Sequence, residues 1–397
     1  MWPIRRRIPG RYTGLACVTV PPPTSRYSPA RGRTRPPPRA TTAISKSPRA
    51  PCAPRLESFW CPVARQSGAA VQRVLVAGGA GFIGSCYVRE LLSGAYGWND
   101  VEVTVLDKLT YAGNLENLAP VEGGYRFVRG DICDADLLSR VLPGQDVVVN
   151  FAAETHVDRS IRTADSFVRT NVQGVHTLME GCLGAGVGRV LQVSTDEVYG
   201  SIDAGSWDEE APLAPNSPYS AAKAGGDMLA RAYARTHGLP VTITRCGNNY
   251  GPYQFPEKVI PLFITNLLDG RTVPLYGDGA NVRDWIHVED HCRGIQTAIE
   301  HGEPGGLYHV AGTAELTNAE LTRRLLDAVG ADWTSVERVP DRKGHDRRYS
   351  LDDGRLRALG YAPRVAFGDG LAATVRWYAG NRAWWEPLKE RLASAAA

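Results

Sequence analysis

The stretch Arg73-Val-Leu-Val-Ala77-Gly78-Gly-Ala-Gly81-Phe-Ile-Gly84 decides the fold class of this chain. Residues 73–77 are typical of a buried parallel strand, and the glycines after them predict a tight turn into a helix that extends to about Ser93. Glycine at 78 and 81 lets a pyrophosphate approach backbone N–H groups, and glycine at 84 lets the helix pack on the strand. The stretch therefore predicts a dinucleotide-binding turn, with a plain glycine-rich turn as the alternative.

Apolar runs recur downstream at the spacing of alternating strands and helices. Further strands are predicted over residues 101–106, 125–128, 146–151, 189–193, 241–244 and, late in the chain, 306–310. The long helix-like segments cover residues 167–186 and 219–237. This alternation predicts an α/β fold with a doubly wound, Rossmann-type parallel sheet, which binds its ligand at the carboxyl ends of the strands.

An acidic residue ends the second predicted strand. Asp107 lies about twenty residues after Gly84, where a carboxylate accepts hydrogen bonds from an adenosine ribose and repels a 2′-phosphate. NAD is therefore favoured over NADP, although the neighbouring Lys108 argues in the other direction. Asp131, which closes the third strand, is placed to reach the adenine, and a strand-end turn residue is the alternative.

A second group of polar residues follows the fifth predicted strand. Thr195, Asp196 and Glu197 come directly after it, and Tyr219 and Lys223 open the second long helix. Residues four apart share one helix face, so the ammonium can stabilise a tyrosinate, whose free pKa is about 10. Neighbouring acids on a continuing strand would point to opposite faces, so we expect the strand to end at this point.

The charge of the chain is divided unevenly. The 397 residues carry a net charge of +3, but residues 1–70 hold 12 Arg, Lys46 and one acid, Glu57, which leaves a negative charge of −9 for the rest. An acidic body argues against nucleic-acid binding. The sequence contains no stretch of 18 apolar residues to cross a membrane, and its 8 cysteines lack the spacing of a metal site. We therefore expect a cytoplasmic protein without a metal, a membrane anchor or a nucleic-acid partner.

The first 70 residues have a composition of their own. They hold 13 of the 27 prolines and almost no hydrophobic periodicity, so we expect a disordered Pro/Arg-rich extension. An organelle transit peptide is the alternative, which the prolines disfavour because they would break its amphipathic helix.

Taken together, these motifs resemble those of the extended short-chain dehydrogenases/reductases, and among them the dTDP-glucose 4,6-dehydratase family. The similarity runs from Val71 to about Trp377. It includes LDKLTYAGN at 106–114, FAAETHVDRS at 151–160, NNYGPYQFPEKVIP at 248–261 and DRKGHDRRY at 341–349. The adjacent Asp196 and Glu197 distinguish this family from related epimerases and decarboxylases, which usually lack the pair.

The resemblance implies a lyase that converts dTDP-glucose to dTDP-4-keto-6-deoxyglucose and water. It implies transient oxidation at carbon 4, elimination across carbons 5 and 6, and hydride return to carbon 6. Tyr219, helped by Lys223 and Thr195, would take the 4-hydroxyl proton. Glu197 would take the carbon 5 proton, and a protonated Asp196 would donate to the departing 6-hydroxyl.

The resemblance also implies sets of binding residues. The NAD contacts are Gly78, Gly81, Phe82, Ile83, Gly84, Asp107, Lys108, Leu109, Thr110, Asp131, Ile132, Ala152, Ala153, Thr170, Tyr219, Lys223 and Asn249. The substrate contacts are Thr155, Thr195, Asp196, Glu197, Asn248, Glu257, Lys258, Val259, Pro274, Tyr276, Arg283, Asn318, Arg342 and His345. For Arg283 an ion pair with Asp284 is the structural alternative.

The same resemblance implies a domain division and an oligomer. Residues 71–250 would form the NAD-binding domain and residues 251–397 a smaller sugar-nucleotide-binding domain, with about 283–312 partly returning to the sheet. Related enzymes pair the helices at 167–186 and 219–237 in a homodimer. Two other readings stay open: a different NAD-dependent sugar-nucleotide enzyme, such as a 4-epimerase or a GDP- or UDP-sugar dehydratase, and a non-catalytic NAD-sensing protein.

Removal of residues 1–70 tests the composition argument. Because that segment cannot contribute to a core, the chain that starts at Val71 should unfold at the same temperature and turn over at the same rate as the full chain. Thermal unfolding and a turnover assay on both chains measure this. Precipitation or inactivity of the shorter chain would contradict it.

Overall fold

The structure, a computed structural model, describes residues 71–396, so the predicted disordered extension lies outside the described residues. The strands are β1 Gln72–Ala77, β2 Val101–Asp107, β3 Tyr125–Arg129, β4 Val147–Asn150, β5 Arg189–Thr195, β6 Val241–Cys246, β7 Asn248–Tyr250, β8 Val273–Tyr276, β9 Val282–His287, β10 Leu307–Val310, β11 Ala314–Thr317 and β12 Val336–Val339. The helices are α1 Phe82–Leu92, α2 Ala135–Val141, α3 Val157–Arg162, α4 Asp165–Val168, α5 Val175–Ala185, α6 Pro218–His237, α7 Val259–Leu268, α8 Val288–His301, α9 Asn318–Val329, α10 Gly354–Ala358, α11 Phe367–Gly380 and α12 Arg382–Ala396.

Seven strands form one sheet in the order β10-β6-β5-β4-β1-β2-β3. Every neighbouring pair in it is parallel. The order reverses between β1 and β4, which is the switch point where open α/β sheets bind ligands. The predicted doubly wound parallel sheet is therefore confirmed, including the late return of the chain as β10.

The sheet is buried on both faces, as its apolar strands predict. Val74 and Val76 of β1 face a cluster with α1 and α8, whereas Leu75 and Ala77 face a cluster with α2, α5 and α6. This alternation follows from the two-residue period of a strand. Each face of the sheet therefore has its own apolar core. Helix α6, which carries Tyr219 and Lys223, packs against the sheet through the second of these cores.

The segment predicted as one helix over residues 167–186 is more complex in the structure. It comprises α4, a π-helical stretch at Arg169–Gly174, and α5. The π stretch packs against α6 so closely that a Cβ on Gly226 would lie 2.4 Å from the Asn171 carbonyl oxygen. Sequence periodicity does not detect such a local change of helix geometry.

Most of the remaining elements pack around an apolar cluster of their own. Helices α7, α9, α11 and α12 enclose a third apolar cluster. Two small sheets, β11-β9-β7 and β12-β8, accompany them. A domain boundary near residue 250 stays a prediction. None of the helices within residues 71–396 combines the length and apolar character needed to cross a membrane.

Gly84 provides a test of the close strand–helix packing. A Cβ there would lie 2.3 Å from the Gly78 carbonyl oxygen and 2.9 Å from the Gly79 Cα, and backbone atoms cannot move aside cheaply. We expect Gly84→Ala to lower the free energy of unfolding by about 1–3 kcal/mol and to weaken dinucleotide binding. Denaturant unfolding and NAD titration measure both effects.

Gly184→Ala is the matched control. A Cβ on Gly184, near the end of α5, would meet no atom within 4 Å. Because alanine favours a helix over glycine by about 1 kcal/mol, this variant should be as stable as the unsubstituted chain or more stable. Equal unfolding free energies for the two variants would contradict the packing argument.

Candidate active site

The two adjacent acids lie where β5 ends. β5 stops at Thr195, whose hydroxyl oxygen accepts the Glu197 N–H at 3.3 Å and caps a 3-10 turn over Asp196–Tyr199. The chain therefore turns immediately before the pair, as the sequence predicts. Both Asp196 and Glu197 consequently line the same cleft.

The first turn of α6 faces this cleft from the other side. Ser217 and Ser220 form a capping box, with Pro218 at the first helical position, so the helix start is fixed. The Tyr219 N–H donates to Ser160 Oγ at 3.2 Å. The Lys223 ammonium, one turn further along, donates to the Val193 carbonyl of β5 at 2.7 Å. Both side chains line the cleft with the acid pair.

The tyrosine and lysine are both desolvated. Burial raises the pKa of Tyr219 well above 10, Glu197 raises it further, and a hydrogen bond with Thr195 acts in the opposite direction. Burial lowers the pKa of Lys223, and the negative charge of Asp227 opposes this shift. The lysine thus contacts the backbone of β5, and Thr195 acts on the phenol by opposing the rise in its pKa.

The two carboxyl groups have different electrostatic surroundings. Burial, and then the charge of Glu197, raise the pKa of Asp196 well above its usual range. Burial also raises the pKa of Glu197, which stays raised although the cationic groups of Arg342, Arg283 and Lys258 partly oppose the shift. Asp196 therefore holds its proton more strongly than Glu197 does.

Asp196 is also placed to give its proton to a ligand. Its Oδ1 accepts from the Thr195 hydroxyl at 3.1 Å. Its Oδ2 is buried and has no hydrogen-bond partner among the described residues. A carboxyl that holds its proton more strongly, beside a carboxyl whose ionisation is assisted by nearby cations, is an arrangement suited to general acid–base catalysis.

A second cleft adjoins the first along the glycine turn. Asp107 Oδ2 accepts the Ala80 N–H at 3.0 Å, and its Oδ1 accepts the Leu109 N–H at 2.8 Å. The Lys108 ammonium pairs with Asp131 at 2.8 Å, so its charge is already compensated beside Asp107. The turn itself has no room for side chains, since a Cβ on Gly78 would lie 2.6 Å from the Ala152 nitrogen. These residues fit a dinucleotide without a 2′-phosphate.

Most of the predicted site residues line one of these two clefts. The first cleft is lined by Gly78, Gly81, Phe82, Ile83, Gly84, Ala153, Thr155, Thr195, Asp196, Glu197, Tyr219, Lys223, Asn248, Asn249, Glu257 and Lys258. The second is lined by Asp107, Lys108, Thr110, Asp131, Ile132, Ala152 and Thr170, and again by Gly78, Gly81 and Ala153. The predicted residues outside both linings are Leu109, Val259, Pro274, Tyr276, Arg283, Asn318, Arg342 and His345.

Two of the outlying residues still act on the site through their charge. Arg283 donates to the carbonyl oxygens of Val282 and Asp346, and its guanidinium lies 4.3 Å from the Tyr349 ring centre. It forms no ion pair with Asp284 in the described part of the chain. Arg342 lies 3.8 Å from Asp158. Both arginines lower the pKa of Glu197.

Sequence reasoning missed several lining residues. They are Leu106, Ala112, Gly113, Gly130, Phe151, Glu154, Val193, Ser194, Cys246, Gly247, Gln254 and Phe255. Many follow strand ends, so the rule that ligands lie at carboxyl ends could have found them. Cys246 is not a candidate nucleophile, because burial raises the pKa of its thiol to about 12.

Comparison with known proteins identifies similar sequences. A family model described as GDP-mannose 4,6 dehydratase matches residues 75–374. The dTDP-glucose 4,6-dehydratase of Streptomyces niveus is 60% identical over 321 residues, which cover 80% of this chain and 96% of that protein. The enzyme of the same name from Streptomyces griseus is 61% identical over 318 residues, which cover 79% and 96%.

Solved structures share the fold. DesIV, a dTDP-glucose 4,6-dehydratase from Streptomyces venezuelae with NAD and TYD bound, is 65% identical with a TM-score of 0.79, and the match covers 80% of this chain and 100% of that chain. A UDP-glucose 4-epimerase of Thermus thermophilus in complex with NAD is 33% identical with a TM-score of 0.72, and covers 78% and 100%. The fold is thus common to dehydratases and epimerases.

The buried state of Asp196 has a consequence for stability. A carboxyl whose pKa is raised by folding destabilises the folded chain as pH rises above its ordinary value of 3.8. Asp196→Asn removes that ionisation, so the variant should unfold at a higher temperature than the unsubstituted chain at pH 8. The difference should shrink as pH falls and vanish well below pH 3.8, where the Asp196 carboxyl is neutral in the folded and the unfolded chain alike. Thermal unfolding across this pH range measures it, and a variant that is less stable at pH 8 would contradict the assignment.

Proposed function

Because this chain belongs to the dTDP-glucose 4,6-dehydratase family, we propose that it converts dTDP-glucose to dTDP-4-keto-6-deoxyglucose and water with NAD as its cofactor. The observation that carries the proposal is the cleft in which the Asp196–Glu197 pair faces Tyr219 and Lys223. Such a cleft combines the groups for oxidation with an acid and a base for elimination. The product is a 4-keto-6-deoxy sugar nucleotide, which is an intermediate for deoxysugar biosynthesis.

The reaction needs an oxidation because the carbon 5 proton of an unactivated hexose is not acidic. The glycine turn and Asp107 would hold NAD, which when bound would supply the hydride chemistry for oxidation at carbon 4 and reduction at carbon 6. We assign Tyr219, in its phenolate form, as the group that removes the 4-hydroxyl proton, and Thr195 favours that form because it lowers the pKa of the phenol. The resulting ketone makes the carbon 5 proton acidic.

The elimination then falls to the acid pair. Glu197, whose charge is favoured by three nearby cations, removes the carbon 5 proton. Asp196, whose proton is retained by burial, donates that proton to the 6-hydroxyl, which leaves as water. Acid–base roles of this kind are each worth roughly 10² to 10⁴ in rate.

The diphosphate of the substrate requires cations in an otherwise acidic body. Lys258 lines the cleft and donates to the Thr155 carbonyl at 3.0 Å, and Arg283 and Arg342 lie close enough to lower the pKa of Glu197. We assign these three residues to the phosphate side of the substrate, where arginine is suited to bidentate contacts. Their positive charge would thus serve both substrate binding and the ionisation of Glu197.

The acid pair separates this proposal from its alternatives. A 4-epimerase needs the oxidation groups but no acid and base for loss of water. A non-catalytic NAD sensor needs neither, yet Tyr219, Lys223, Asp196 and Glu197 are all present in one cleft. A dehydratase acting on a GDP- or UDP-sugar would use the same groups, so it differs only in the nucleotide that it accepts.

Quaternary structure and location are further parts of the proposal. We propose a homodimer formed through α4, α5 and α6, because the exposed side chains of Val168 and Met228 lie on these helices. We propose a cytoplasmic location. The described cysteines Cys86, Cys133, Cys182, Cys246 and Cys292 are free thiols, which suits a reducing compartment.

Incubation of the purified chain with dTDP-glucose in heavy water tests the activity. We expect a product with the alkali-induced absorbance of a 4-keto sugar and with deuterium at carbon 5. Parallel reactions with UDP-glucose and GDP-mannose measure nucleotide preference. Formation of dTDP-galactose without deuterium at carbon 5 would identify an epimerase instead.

Glu197→Gln tests the assignment of the base. The variant should still oxidise carbon 4, seen as absorbance of reduced NAD, while carbon 5 exchange falls by roughly 10² or more. Glu90→Gln is the matched control, since Glu90 is also partly buried with a raised pKa but lies on α1 outside both clefts. Normal product formation by Glu197→Gln would show that Glu197 is not the base that removes the carbon 5 proton.

A further inference from the structure

A buried ion pair lies behind the acid pair and takes part in none of the proposed steps. Asp227 of α6 and Arg245 of β6 are joined at 3.0 Å, and their side chains are 0% and 1% exposed. Ion pairs removed from water contribute little net stability, because each charge loses its hydration. Any role of this ion pair therefore lies in the residues that it hydrogen-bonds.

The ion pair is connected to the chain on both sides of the catalytic acids. The Ser194 hydroxyl donates to Asp227 Oδ2 at 2.8 Å. On the other side, Arg245 Nη1 donates to the Tyr199 hydroxyl oxygen at 2.6 Å. Ser194 is the next-to-last residue of β5 and Tyr199 the last of the 3-10 turn, so Asp196 and Glu197 lie between the two attachment points.

A buried histidine completes the connection. The Tyr199 hydroxyl lies 2.6 Å from His309 Nε2, and His309 Nδ1 lies 2.9 Å from the Asp352 carbonyl oxygen. A carbonyl can only accept, so Nδ1 donates to it and Nε2 accepts the Tyr199 proton. Burial lowers the pKa of His309 to about 4, which agrees with this neutral form. The direction of every hydrogen bond from Arg245 to Asp352 is thereby fixed.

We propose that Asp227, Arg245 and Tyr199 are positioning residues for the elimination step, which they serve by fixing both ends of the Ser194–Tyr199 segment that carries Asp196 and Glu197. The inference rests on the proposed dehydratase function. A displacement of about 1 Å at a catalytic group can cost on the order of 10² in rate. A segment held at both ends by a rigid, buried network keeps the two carboxyl groups within that tolerance.

Tyr199 is the residue that tests this most cleanly. Asp227 also lies one turn after Lys223 on α6 and raises the pKa of that lysine, so its substitution would disturb oxidation as well. Within residues 71–396 the Tyr199 hydroxyl hydrogen-bonds to Arg245 and His309, and it has no hydrogen bond with Lys223 or Tyr219. Tyr199→Phe keeps the ring, including its stacking on Trp207 at 5.9 Å, and removes only the oxygen that joins the two partners.

The experiment mixes the NAD-loaded full chain with dTDP-glucose in heavy water and follows two signals. Absorbance of reduced NAD reports carbon 4 oxidation, and deuterium at carbon 5 reports the elimination step. We expect Tyr199→Phe to oxidise carbon 4 within about twofold of the unsubstituted rate and to lose tenfold or more in carbon 5 exchange, so that reduced NAD accumulates. Ser194→Ala removes the hydrogen bond at the other end of the segment. It should likewise leave carbon 4 oxidation near the unsubstituted rate and slow carbon 5 exchange.

Tyr308→Phe is the matched control. Its buried hydroxyl accepts the Glu303 N–H at 2.9 Å and has no contact with the acid-bearing segment, so both signals should stay unchanged. The inference is overturned if Tyr199→Phe and Ser194→Ala exchange carbon 5 normally, or if both signals fall equally, which would indicate general structural support. If Tyr199→Phe fails to fold, Ser194→Ala decides alone. Absence of keto product from the unsubstituted chain would contradict the proposed function itself.

Discussion

The end of β5 is the constraint on which the site depends. A strand that continued past Thr195 would send Asp196 and Glu197 to opposite faces of the sheet. The Thr195 side chain instead caps a 3-10 turn, and both acids enter one cleft. The parallel sheet places this turn at its carboxyl edge, beside the glycine turn after β1 and the start of α6. The fold therefore brings to one edge three motifs that lie far apart in the sequence.

Burial and local charge then give chemically similar groups different tasks. Two neighbouring carboxyl groups have similar pKa values in water, and here burial raises the pKa of both, but only for Glu197 do three cations oppose the rise. The same cations are those that we propose for the substrate diphosphate, so in this proposal substrate binding and the ionisation of Glu197 depend on one set of charges. Residues 71–397 carry a net negative charge, so the three cations near Glu197 indicate an anionic ligand more clearly than the net charge of the whole chain does.

Sequence patterns predicted the seven strands of the large sheet, the long helix α6 and the three motifs because each leaves a local signature. Alternating apolar runs, a Gly-x-x-Gly-x-x-Gly turn and a Tyr-x-x-x-Lys pair can all be recognised from spacing alone. The π-helical stretch at Arg169–Gly174 and the Asp227–Arg245 pair could not be predicted in this way. A change of helix geometry follows from packing between helices, and an ion pair between α6 and β6 joins residues that only the tertiary structure brings together.

The division of protons between the two acids is the central claim, and infrared difference spectroscopy tests it most directly. Spectra of the NAD-loaded chain at pH 7 are compared with those of Asp196→Asn and Glu197→Gln. The structure predicts that Asp196→Asn loses the stretching band of a protonated carboxyl group, whereas Glu197→Gln keeps that band. Loss of a carboxylate band in Asp196→Asn would show that Asp196 is ionised and would contradict its role as the acid.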